Sequence, residues 1–94
     1  MALIAHMQHL LQTRQPPKTF CPSEVARRLS TDELQDLGCE KGGWRDAMPA
    51  VRHLAFDMRA QGVLDVLQKG EVLPDDVGLD EVVGPIRMRR ASGQ

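Results

Sequence analysis

Seven arginines stand where they could grip an anion. Arg52 and Arg59 lie on one predicted helix, Arg27 and Arg28 adjoin each other, Arg45 follows the lone tryptophan, and Arg87 and Arg89 alternate with apolar residues. A guanidinium is a planar fork of donors that fits the guanine edge or two phosphate oxygens. The chemistry these residues suggest is contact with double-stranded DNA. Arg52 and Arg59 would read bases, while Arg27, Arg28, Arg45, Arg87 and Arg89 would hold the backbone. The plainer alternative is a solvated face whose surface pairs carry little energy. Phe56 falls between Arg52 and Arg59 and is expected to project outward. There it would touch a thymine methyl or anchor a protein partner, since aromatic residues and arginine are enriched at interfaces. Covered by the N-terminal arm or the hairpin, it would do neither.

Other side chains promise less. Cys21 stands at a helix start, where the dipole can activate a thiol, but a small buried hydrophobe beside Phe20 is the simpler role. His6, His9 and Cys39 lack the closely spaced ligand pairs of structural zinc, so neither metal nor cofactor is expected. Trp44 beside Gly43 suits a core anchor better than a ligand wall. The carboxylates gather in loop-like stretches, and no serine is placed for a nucleophilic triad; no enzymatic activity is expected.

These residues need elements to position them. Leu3, Ile4, Met7, Leu10 and Leu11 follow helical spacing until Pro16-Pro17 ends the run. Cys21-Pro22-Ser23-Glu24 opens a second helix, with proline in the first turn and an acid at the positive dipole end. Thr31-Asp32-Glu33 predicts a short turn carrying Leu34 and Leu37, stopped by Gly38. Trp44–Met48 forms a lead-in, and Pro49 starts a third long helix ending at Gly62. Its stripe of Val51, Leu54, Ala55 and Met58 should face the core. Leu64-Asp65-Val66 and Ile86-Arg87-Met88-Arg89 alternate as strands. The acidic stretch 70–83 is expected as a long, mobile hairpin tip. The fold class that follows is mainly α with a small β-hairpin: a winged helix-turn-helix of three helices plus a wing.

The 94 residues are expected to make one domain, with a core from about 3 to 90. A net charge of −1 does not mark a nucleic-acid binder. The charge is segregated, however: Glu71, Asp75, Asp76, Asp80 and Glu81 cluster in the tip, and Arg87, Arg89 and Arg90 follow it. No apolar run approaches the roughly 20 residues of a membrane span, and no signal peptide is recognisable, so a cytoplasmic protein with reduced thiols and no membrane partner is expected.

The segments Cys21-Pro22-Ser23-Glu24-Val25-Ala26-Arg27, Trp44-Arg45 with Met48-Pro49-Ala50-Val51-Arg52, and Gly84-Pro85-Ile86-Arg87 resemble a family of small bacterial proteins known as a domain of unknown function. The resemblance runs from about residue 3 to residue 90 and implies a winged helix. It assigns no activity. Two features depart from the family pattern: the acidic stretch from Thr31 to Glu40, and the acidic hairpin tip. Either would repel phosphate if it lay near a DNA-facing surface.

Two functions follow as expectations. One is a nucleic-acid-binding protein, a bacterial transcriptional regulator with double-stranded DNA as its partner. The other is a protein-interaction module, for a separate partner or a homodimer. A positive face spanning the third long helix and the wing would mark the first. An acidic tip folded across that face would favour the second.

Overall fold

The computed structural model describes residues 2–39 and 41–91. Glu40, at the end of the first acidic stretch, lies outside the described residues. The helices are α1 (Ala2–Thr13), α2 (Pro22–Ala26), α3 (Thr31–Asp36) and α4 (Met48–Ala60), the last entered through a 3-10 turn at Gly43–Ala47. The strands are β1 (Leu64–Gln68), β2 (Glu71–Val72) and β3 (Arg87–Arg90), with a second 3-10 turn at Leu79–Glu81. They form an antiparallel sheet in the order β2-β1-β3. The protein is thus mixed α/β, with one more helix and one more strand among the described residues than expected.

Each helix follows from local chemistry. Leu3, Met7, Leu10 and Leu11 bury one face of α1. With five residues, α2 is too short to persist alone. It is fixed by Val25 and Ala26, both fully buried, and by a closed first turn. The Cys21 N–H donates to Glu24 Oε2 at 2.9 Å, and the Glu24 N–H donates to the Cys21 carbonyl at 3.0 Å. In α3 the cap is Ser30, one residue earlier than the sequence suggests. Its hydroxyl accepts from the Glu33 N–H at 3.1 Å, and Glu33 Oε1 accepts from the Ser30 N–H at 2.8 Å. His6 Nε2 lies 3.0 Å from that same Glu33 oxygen and ties α1 to α3. Helix α4 takes Pro49 in its first turn and stops before Gly62, whose φ of +77° suits glycine.

The sheet closes the core from the other side. Leu64, Val66, Ile86 and Met88 point inward and are nearly inaccessible. Phe20, between α1 and α2, joins the outer edge of β3: its N–H donates to the Met88 carbonyl at 2.9 Å, and the Met88 N–H returns a bond of 2.8 Å. Its ring is fully buried.

The acidic stretch departs from expectation. The chain reverses at Lys69-Gly70, both in the left-handed region (φ 54° and 83°), which suits a two-residue hairpin turn. After β2 it does not extend as a free tip. Residues 73–86 return across α4, and Leu73, Leu79 and Val82 pack against the core. These apolar side chains supply the reason: they bury surface that a projecting tip would leave in water.

Candidate interaction surface

Helix α4 carries three stripes with distinct neighbours. Val51, Ala55 and Met58 face the core. Leu54, expected in that set, is only half-buried. Arg52, Phe56 and Arg59, at helical spacing of four and three, lie along one shoulder. Pro49, His53, Asp57 and Ala60 form the exposed stripe.

The segment 73–86 covers that shoulder. Arg52 Nη1 donates to the Gly84 carbonyl at 3.3 Å. Arg59 donates to the carbonyls of Pro74 and Asp75 at 3.5 and 3.4 Å. Phe56 is 9% exposed, which corrects its expected outward projection. Its ring lies under the Arg59 guanidinium, 4.6 Å from the ring centre, and beside the Leu79–Glu81 turn. One helical step beyond the apolar stripe is a shoulder, not an outer face, and the returning chain encloses it. An open cleft of about 280 Å³ remains between His53, Phe56 and Asp57 on one side and Gly78–Glu81 on the other. On the exposed stripe, His53 Nδ1 and Asp57 Oδ2 stand 3.3 Å apart.

The strand arginines also have internal partners. Arg87 reaches the Thr19 hydroxyl at 2.6 Å, the Thr19 carbonyl at 3.1 Å and Cys21 Sγ at 2.8 Å. It braces β3 against the segment entering α2. Arg89 Nη2 pairs with Asp65 Oδ2 at 3.0 Å across β1 and β3, while its Nε is buried without a partner.

Arg27, Arg28 and Arg45 differ. All three are exposed, and none has a carboxylate within 4.0 Å among the described residues. Arg27 and Arg45 meet at Trp44, each guanidinium carbon 4.6 Å from the ring centre. Trp44 is half-buried and packs against the core while carrying them. Of the seven arginines, therefore, four are hydrogen-bonded within the fold, Arg27 and Arg45 meet at Trp44, and Arg28 adjoins Arg27 in the chain.

Two carboxyls are held below their usual range. Partial burial raises the pKa of Glu24, but the Cys21 N–H and the Arg14 guanidinium, at 2.8 Å, lower it further than burial lifts it. Glu33 is lowered by the Ser30 N–H and then by His6. Cys39, buried, directs its thiol to the Leu37 carbonyl at 3.6 Å. Among the described residues, no group of three His, Cys, Asp or Glu side chains is placed to hold a metal ion. No described helix is long and apolar enough to cross a membrane.

The signal for the covered shoulder was present in the sequence. Arg52, Phe56 and Arg59 share one stripe, and the acidic stretch contains Leu73, Leu79 and Val82. The acids give that stretch its charge, but Leu73, Leu79 and Val82 decide where it packs. The Arg27–Trp44–Arg45 cluster had no comparable signal, because its members are brought together by the packing of α2 on the 3-10 turn.

Compared with known proteins, the chain matches no curated protein. The model of one protein family matches it over residues 1–91, and the chain belongs to that family, DUF3253, described as a protein of unknown function.

Proposed function

We propose that this chain is a winged-helix module that docks a protein rather than one that reads a DNA duplex. The element order supports the winged-helix assignment. Helix α1, the Phe20 strand residue, α2, α4, β1 and β3 follow one another as in that fold, with Phe20 completing the sheet beside β3. Helix α3 is then an insertion between the two helices of the helix-turn-helix, and β2 with residues 73–86 forms the wing.

One observation carries the choice of partner. The two arginines best placed to read bases, Arg52 and Arg59, donate to carbonyls of the wing segment that lies over them. That segment brings Asp75, Asp76, Asp80 and Glu81, and the stripe left open on α4 contains Asp57. A helix entering the major groove with these carboxylates would meet phosphate repulsion on both sides. Winged helices also serve as docking and dimerisation units, and the partner is a separate protein or a second copy of this chain.

The test compares pull-downs of the full chain from host lysate with and without nuclease. A protein captured equally in both supports the proposal. Recovery that vanishes with nuclease overturns it. A second reading, nucleic-acid binding through backbone contacts alone, draws on the exposed Arg27, Arg28 and Arg45. Its mark is anisotropy of a labelled duplex that saturates at low salt and falls steeply as salt rises.

A further inference from the structure

Trp44 is the only tryptophan, and two guanidiniums stack on it at 4.6 Å. Arg27 comes from the C-cap of α2 and Arg45 from the 3-10 turn before α4. The cluster is therefore built by two elements packed on each other, with Trp44 anchored in the core between them. A guanidinium held against the ring keeps its fork of donors available for a bidentate acceptor. It also removes side-chain freedom before any partner arrives, which lowers the entropic cost of binding. Tryptophan and arginine are the residues that most often dominate binding energy at protein interfaces.

The surroundings select the acceptor. Helix α3, with Asp32, Glu33 and Asp36, packs against the same 3-10 turn, which itself contains Asp46. A duplex carries a charge every ~1.7 Å along a long, stiff axis and would extend past the arginines toward these acids. Single-stranded bases would need an open aromatic face, and the ring already carries guanidiniums. A short chain of carboxylates can meet the arginines and stop. We propose that the surface formed by Arg27, Trp44 and Arg45 docks an acidic peptide segment of a protein partner. This rests on the protein-docking reading and gives it a location and a chemistry.

The emission of Trp44 reports on this surface directly. The full chain is titrated at low salt with a Glu/Asp-rich peptide, with its Gln/Asn counterpart, and with single-stranded and duplex oligonucleotides. The expected result is a saturable change with the acidic peptide and none with the amide peptide. Affinity should fall at least about tenfold in R27A/R45A, with circular dichroism unchanged. R27K/R45K keeps the charge but loses the stacked fork, and should also weaken binding; R52A/R59A should not. No saturable change with the acidic peptide overturns the proposal. So does an affinity of R27A/R45A unchanged from that of the native chain, or tighter binding of either oligonucleotide. If R27A/R45A still captures the nuclease-insensitive partner, only this surface is wrong; if no such partner exists, the docking reading fails as well.

Discussion

Asp65 and Arg89 form a partly buried pair across β1 and β3, with side chains 27% and 23% exposed. Because Arg89 Nε is already buried without an acceptor, removing the carboxylate strands the rest of the guanidinium. Asp65→Ala should therefore destabilise by about 1–3 kcal/mol, measured by urea unfolding. Replacing both residues by apolar ones of similar size should restore much of the loss. The carboxyls of Glu24 and Glu33 make a second residue-scale prediction. Both are depressed in the folded chain, whereas an unfolded glutamate titrates near pH ~4.3. The stability they add is complete above that value and is lost as pH falls through their folded values. Glu24→Gln keeps an acceptor for the Cys21 N–H but removes the charge. Acid titration of its unfolding free energy should be flatter below pH ~4.3 than that of the native chain.

Among the elements, the segment 73–86 matters most. It is held to α4 by long, exposed hydrogen bonds from Arg52 and Arg59 and by the burial of Leu73, Leu79 and Val82. The arginine bonds should fix its position without setting global stability. In R52A/R59A, amide exchange across 73–86 should accelerate, while global unfolding free energy changes by less than about 1 kcal/mol. Loss of a larger fraction of total stability would mean that the segment is part of the core. What was legible in the sequence divides at the same place. Helices α1 and α4 were readable because their apolar spacing repeats over several turns and proline or glycine ends each run. The β1–β3 pairing was readable from Ile86 and Met88 alternating with Arg87 and Arg89. The strand role of Phe20 was not, because a single residue carries no period. The return of 73–86 is not legible because Leu73, Leu79 and Val82 follow no period among the acids, and the burial of Phe56 depends on that return.

At the scale of the whole molecule, acidic and basic residues stand on elements that pack against one another. Residues 73–86, with Asp75, Asp76, Asp80 and Glu81, lie over one shoulder of α4, the acid-bearing α3 packs beside the 3-10 turn, and Arg27 and Arg45 meet at Trp44. A protein that makes roughly 6–10 phosphate contacts gains much of its duplex affinity from them, and the exposed Arg27, Arg28 and Arg45 fall short of that number. The proposal that α4 is closed to DNA depends on the position of residues 73–86, not on the composition of the helix. The measurement that addresses it is amide chemical-shift mapping of the full chain titrated with duplex DNA at low salt. The proposed arrangement predicts no saturable shift along Met48–Ala60 and no change at residues 73–86. Saturating shifts centred on Arg52 and Arg59, with the 73–86 amides released, would contradict it.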